Sequence, residues 1–379
     1  MRILVSTSSL FPYRVDWLDE LAKFADIDIF YLQDDDPDRV TEWCAKRPKN
    51  CSYTLMNCKK IPFLGLRTTD FIKVLKHRLN EYDFVILDGY GYYTQLLNIK
   101  YLNRHKIDYY VNVDGIVPKE KENWFIKALK KRIISKIPHF MCGSIASNQL
   151  LIQYGSKPER IINHPFTSLH KSDILSEPVD SELKKELKKK LGISEEIAII
   201  SVGRFSYLNG YGKGYDALIN AAQKLEKYDI GWYIVGGKPT NEFETIIKTK
   251  QIKSVHFIDF LDKSTLFDYY RASDIFVLMT ISDVWGLVVN EAMANGLPVI
   301  TTNKCVAGLD LVTNGVNGYL VDVGDSDSLS KLVIELLEED IRNKMGLESL
   351  KRIRKYTIED IGLIHKKYFE ELYNAKRKD

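Results

Sequence analysis

Asp283 and Glu291 stand eight positions apart in SDVWGLVVNEAMANGLPVI, residues 282–300, an otherwise apolar run. Gly286 lies between them, and Gly296-Leu297-Pro298 closes the segment. A carboxylate only accepts hydrogen bonds, so Glu291 can take two hydroxyl donors, which is what ribose offers. LVVNEAMANG has helical length, with Gly286 opening it, Gly296 a natural stop and Pro298 barring continuation. Backbone N–H groups of Leu287 and Val288 would then lie at a helix N-terminus, a natural anion site. The plainer alternative makes Asp283 a helix cap and Glu291 a surface residue.

Two further segments carry chemistry-bearing residues. In SVGRFSYLNGYGKGYDALINAAQKL, residues 201–225, a strand is expected to end at Gly203 and a helix to start near Tyr215. Arg204 and Lys213 bracket the Gly- and Tyr-rich loop between them. Two cations beside a strand-end loop suit a diphosphate whose charge grows as it leaves; a solvated loop with incidental charges is the other reading. Gly236 and Gly237 end the strand YIVGG and permit close backbone approach to a flat ring. Asp-x-Asp spacing in DDDPD, residues 34–38, reads as a solvated loop rather than a metal site.

These residues need strands and helices to position them. Strand-like runs alternate with helical periodicity through most of the chain, the pattern of a parallel sheet wrapped by helices. Strands are expected at 2–7, 26–32, 83–88, 108–114 and 138–143, then at 196–203, 229–237, 254–260, 273–280, 297–302 and 318–323. The polar stretch 171–194 divides the series as a linker region. The expected class is α/β, with Rossmann-like halves at 1–170 and 195–355 and a last helix, 356–379, packing on the first half. Twin halves of this kind suggest a ligand cleft between them, because open α/β sheets bind at the carboxyl ends of their strands.

Composition excludes several classes. The 379 residues are 45% hydrophobic and 28% charged with a net charge of +3, an ordinary globular balance that does not indicate nucleic-acid binding. The first 170 residues hold 25 Lys and Arg against 19 Asp and Glu, so the basic half is N-terminal. Five cysteines without a CxxC pair argue against a disulfide framework, and Cys44, Cys51 and Cys58 lack histidines at zinc-ligand spacing. MRILVSTSSLF reads as a strand rather than a signal peptide, so a cytoplasmic protein is expected. No phosphate-loop motif and no GxGxxG after the first strand are present, which disfavours a nicotinamide dehydrogenase.

Taken together, the motifs resemble the retaining glycosyltransferases of family 4, two-domain GT-B enzymes that use nucleotide-sugar donors. That family's signature is Glu, seven residues, Glu, followed by a run like EAMACGLPVI. The likeness extends to VGR and KG within 202–214, VGG, FIDF before LFDYYRASDIFV, and GVNGYLVDVGD. HPFTSLHKSDIL (164–175) and SLFPYRVDWLDEL (9–21) are similar to a bacterial subgroup that builds capsular or exopolysaccharides. The resemblance implies that Glu291 binds the donor ribose, Arg204 and Lys213 the diphosphate, and Gly286, Leu287 and Val288 the donor through the backbone. Asp283 stands where the family has its first Glu, near the transferred sugar, and is one methylene shorter. Val284-Trp285 replaces the usual Gly-Phe pair. SLFPYRV replaces the family's Gly-Gly loop after the first strand and makes Tyr13 and Arg14 acceptor-side candidates. Asp114 in VNVDGI stands where many members have a histidine and is assigned to acceptor or sugar contact.

The implied enzyme is a metal-independent, retaining hexosyltransferase without cofactor, taking a UDP- or GDP-linked sugar. Its acceptor would be a saccharide or lipid-linked saccharide in bacterial surface polysaccharide synthesis. The segment 122–139 combines Trp124, Phe125, Leu129 and Ile133 with Lys127, Lys130, Lys131, Arg132 and Lys136. It reads either as a peripheral contact with the inner face of an anionic membrane or as an ordinary helix packed on the sheet. A non-catalytic nucleotide-sugar-binding subunit is the rival reading for the whole chain.

Overall fold

A computed structural model describes residues 1–33, 46–62, 65–119 and 121–377. DDDPD at 34–38 and Cys44 lie outside the described residues. The chain forms two compact units, Met1–Ser168 with Tyr356–Asp379, and Leu169–Lys355.

In the first unit the strands are β1 (Arg2–Thr7), β2 (Asp26–Tyr31), β3 (Ser52–Leu55), β4 (Lys59–Ile61), β5 (Gly65–Arg67), β6 (Phe84–Asp88), β7 (Tyr110–Val113), β8 (His139–Cys142) and β9 (Ile161–Asn163). Seven of them make one parallel sheet in the order β3-β2-β1-β6-β7-β8-β9, while β4 and β5 form a separate antiparallel hairpin. Residues facing both sides of β1, β6 and β7 are buried, as parallel strands covered by helices require. The C-terminal helix Ile358–Lys376 packs on the helix Pro12–Leu21, and Trp17 Nε1 donates to His365 Nδ1 at 2.9 Å. Phe369 of that helix also meets Phe84 and Tyr110, at 4.8 and 5.3 Å between ring centroids.

The helix Trp124–Ile134 turns its apolar side outward. Trp124 is 78% and Phe125 62% exposed, Ile126 and Leu129 are exposed, and only Ile134 is buried. Its inner side packs Ile133 and Ile134 on the core and is tied by charge as well: Lys130 Nζ lies 2.5 Å from Glu122 Oε1, and Tyr154 donates to Glu122 Oε2 at 2.7 Å. Aromatic residues at these positions therefore do not pack on the sheet.

The second unit holds β10 (Ile197–Val202), β11 (Ile230–Val235), β12 (Val255–Ile258), β13 (Ile275–Leu278), β14 (Val299–Thr302) and β15 (Gly318–Val321). They form a parallel sheet in the order β12-β11-β10-β13-β14-β15, the doubly wound arrangement whose order reverses beside its first strand. The stretch 171–194 does not stand apart as a linker. Its helix Ser181–Leu191 starts at the Asp180 cap, stops at left-handed Gly192, and is clipped to the sheet by Lys184 and Lys188, 2.8 and 3.0 Å from buried Asp274. Asp274 also accepts from Ala198 N at 2.9 Å, so the clip reaches β10 directly.

Candidate functional site

Ligands of doubly wound sheets bind beyond the carboxyl ends of the strands where the order reverses, here after β10 and β13. The loop after β10 is wound tightly. Leu208, Asn209 and Gly210 have φ of 48, 54 and 92°, and Thr280 Oγ1 donates to Gly212 O at 2.9 Å, tying the loop to the end of β13. Gly214 then opens the helix Tyr215–Lys224 at φ +70°; a Cβ there would sit 1.9 Å from Met279 O, so only glycine fits. This anchoring brings Lys213 Nζ to 2.6 Å from Asp283 Oδ2. Their side chains are 15 and 16% exposed, so the pair is largely withdrawn from water. Arg204 follows directly after Gly203 in the same loop and is half-buried.

Asp283 is fixed by its own backbone. Its N–H donates to Lys304 O at 3.0 Å, its carbonyl accepts from Val306 N at 3.2 Å, and its Oδ1 accepts from Trp285 N at 3.3 Å. Both carboxylate oxygens are thus engaged, one by a cation and one by the chain. Asp283 is not a helix cap: Gly286 occupies the N-cap of the helix Leu287–Ala294 at φ +99°. Leu287 and Val288 are half-buried in the first turn, where their N–H groups have no intrahelical acceptor. Glu291 comes one turn later, half-buried rather than on the surface, and its Oε2 accepts from the buried Tyr270 hydroxyl at 3.1 Å. Trp285 is buried and donates through Nε1 to Asn290 Oδ1 at 2.9 Å, so it supports this helix from beneath.

The glycines after β11 divide. A Cβ on Gly236 would lie 2.4 Å from Gly203 O, so the close approach of two strand ends requires glycine there. Around Gly237, at φ +122°, an added Cβ would meet open space.

In the first unit a second polar cluster occupies the corresponding strand ends. Arg14, in the first turn of Pro12–Leu21, is 4% exposed and bridges two carboxylates. Its Nη1 is 2.5 Å from Asp88 Oδ1, and its Nη2 is 2.8 Å from Asp114 Oδ2. Burial works against the guanidinium charge, but Asp114 and Asp88 more than offset it and raise the pKa above the ordinary arginine value. Asp114 accepts in addition from Tyr13 OH at 3.1 Å and Asn112 Nδ2 at 3.1 Å, while its side chain stays 23% exposed. Thr7 Oγ1 holds Asp88 at 2.8 Å. Arg14, an acceptor-side candidate from the sequence, is thus buried with both Nη atoms engaged by Asp88 and Asp114, and the more exposed Asp114 lies beside it. Asp88, Asn112 and Tyr270 escaped the sequence reading. Only the charge ending the buried run FVILD signalled Asp88.

Among the described residues no group of three His, Cys, Asp or Glu side chains is placed to hold a metal ion. No described helix is long and apolar enough to cross a membrane.

Residues 184–360, which hold every second-unit site residue, match the family "Glycosyl transferases group 1". An uncharacterized glycosyltransferase of Methanocaldococcus jannaschii is 25% identical over 312 residues, 77% of this chain and 87% of that protein. The N-acetyl-alpha-D-glucosaminyl L-malate synthase of Bacillus anthracis is 33% identical over 168 residues, 42% of each chain, so this match spans less than half of that relative. Anabaena Alr3699/HepE, solved in complex with UDP, superposes with a TM-score of 0.75 over 99% of this chain and 100% of its own, at 18% identity. The fold is GT-B. The second unit is similar to the glycosyl transferases of group 1 over residues 184–360.

Proposed function

We propose that the protein is a retaining glycosyltransferase of the family 4 type. It would move a hexose from a UDP- or GDP-linked donor to a saccharide or lipid-linked saccharide acceptor in bacterial surface polysaccharide synthesis. The observation carrying this reading is the Lys213–Asp283 pair, set in a glycine-locked loop beside the helix that bears Glu291. Lys213, with Arg204, stabilises charge developing on the departing diphosphate, and pre-set cations do this without reorganisation during reaction. Glu291, oriented by Tyr270, takes the donor ribose hydroxyls. The first turn at Leu287 and Val288 offers N–H groups to the donor. Asp283 aims Lys213 and lies beside the transferred sugar, and Asp114 takes a sugar or acceptor hydroxyl.

Retention follows a front-face substitution in this account, with the leaving diphosphate oxygen accepting the acceptor hydroxyl proton. A covalent route would need a free carboxylate nucleophile, whereas both oxygens of Asp283 are engaged. Rate then comes from positioning and from cationic stabilisation of the leaving group. Incubation with UDP-, GDP-, ADP- and dTDP-sugars tests the reading. Release of free nucleoside diphosphate from one donor is expected, whereas binding without release would make the protein a non-catalytic subunit.

The acceptor would reach the enzyme at a membrane. The outward Trp124, Phe125, Ile126 and Leu129, flanked by Lys131, Arg132 and Lys136, suit insertion at an anionic bilayer surface. Flotation with anionic but not neutral vesicles is expected, and its loss in Trp124→Ala/Phe125→Ala; absence of binding to either vesicle removes this part of the reading.

A further inference from the structure

Beside the Arg14–Asp114 cluster lies a small cavity of about 20 Å³, lined among others by Tyr13, Arg14, Asn112, His164 and Phe166. Two buried polar atoms on these lining residues have no partner, Arg14 Nε and His164 Nε2. Their residues are 4 and 7% exposed. Both Nη atoms of Arg14 are engaged, by Asp88 and Asp114, so Nε–H is on the one guanidinium nitrogen without a partner. The tautomer of His164 follows from its other nitrogen. Nδ1 lies 2.9 Å from Pro165 O, and a carbonyl only accepts, so Nδ1 carries the proton and Nε2 presents a lone pair.

One lining group therefore donates and the other accepts. An anion would meet the histidine lone pair, and a cation would meet the guanidinium. Only a neutral ligand that both donates and accepts satisfies the two together. A water needs at least roughly 10–15 Å³ by this measure, so a cavity of about 20 Å³ has room for one. We propose that this cavity is the site of a single ordered water, which accepts from Arg14 Nε–H and donates to His164 Nε2. Buried waters of this kind complete networks that protein atoms alone leave unfinished.

The water makes His164 a positioning residue. It fixes the third edge of the Arg14 guanidinium, and Arg14 in turn aims Asp114. Burial lowers the His164 pKa to about 4, so the acceptor lone pair persists at neutral pH. The positioning role rests on Asp114 serving the transfer reaction; the water itself does not.

A crystal structure of the full chain that resolves ordered solvent tests the site. One solvent peak within hydrogen-bond distance, about 2.7–3.2 Å, of both Arg14 Nε and His164 Nε2 is expected. A dry cavity, a peak touching only one of them, or an ion in its place overturns the proposal. His164→Leu and His164→Gln then separate positioning from packing. Leucine removes the acceptor and should lower kcat about tenfold with donor KM unchanged, while glutamine, whose amide oxygen can accept, should restore most of it. Equal kcat in the two variants overturns the positioning role, whatever their thermal stability. A chain with no transferase activity but with the bridging peak defeats the functional reading and leaves the water site standing.

Discussion

Replacement of Lys213 by alanine probes the site at its most constrained point. The ammonium is 2.6 Å from Asp283, and both side chains are about 85% withdrawn from water. Removing one partner of a fully buried pair costs about 3–5 kcal/mol, because the other charge is left uncompensated. Partial exposure here lowers that to about 2–3 kcal/mol, or a melting temperature lower by roughly 5–10 °C. The catalytic loss should be larger than stability explains. Deleting one preorganised group that stabilises developing charge costs about 10²–10³ in kcat. Asp283 acts largely through Lys213 in this account, so the two substitutions should not add. Asp283→Ala alone should be severe, yet in the Lys213→Ala background it should change kcat by less than about threefold, a coupling of at least 2 kcal/mol. The assay is nucleoside diphosphate release at saturating donor, with calorimetry on all four proteins. Near-normal turnover in Lys213→Ala refutes the leaving-group role. Fully multiplicative effects refute the coupling and make Asp283 an independent sugar contact.

Other outcomes follow from single contacts. Tyr270→Phe removes the hydroxyl donated to Glu291 and should raise donor KM about 5–10-fold with little change in kcat; an unchanged KM separates Tyr270 from the donor site. Gly286→Ala places a Cβ 2.7 Å from Cys305 Sγ at φ +99° and should destabilise by about 1–3 kcal/mol, detectable as a lowered melting temperature. Adding Cys305→Ala should recover the steric part only, and full recovery would show that the left-handed backbone costs nothing. Stability should fall with acid in two stages. Burial lowers the pKa of His164 to about 4, and that of His365 well below its ordinary value, so both are neutral in the folded unit and take up protons when it unfolds. Their contribution is complete above about pH 6.5 and declines below it, by up to about 1.4 kcal/mol per pH unit for each. Glu195 adds a second decline. Burial raises its pKa, but the Tyr233 and His256 hydrogen bonds outweigh it and bring the value to about 2, so its stabilisation fades as pH falls from about 4.5 toward 2. Denaturant midpoints unchanged from pH 7 to 4.5 would show that the histidines are not buried neutral.

Much of this architecture is legible in the residues because parallel strands buried on both faces read as continuous apolar runs. IAIISV and FVILD are unmistakable for that reason. β3, by contrast, is SYTL with all four residues exposed at a sheet edge, and β9 has three residues, so neither carries a pattern. The polar stretch 171–194 looked like a linker because its helix buries little beyond Leu187, and its attachment through Asp274 is an ion-pair fact that periodicity does not encode. Glycine spacing and Pro298 revealed the helix bearing Glu291 through local backbone rules. The joining of Lys213 to Asp283, 70 positions apart, depends on the strand order and could not be read locally. The burial of Arg14 could not be read locally for a related reason: it depends on Asp88, which ends β6, and on Asp114, which follows β7.

The central claim is retaining transfer from a nucleotide sugar. The most direct test is proton NMR of the product formed from the donor that releases nucleoside diphosphate, with the reaction followed from its first turnovers. The account predicts that the new glycosidic bond has the anomeric configuration of the donor from the earliest spectrum onward. A product of inverted configuration, or a chain that binds donors and transfers from none of them, would contradict it.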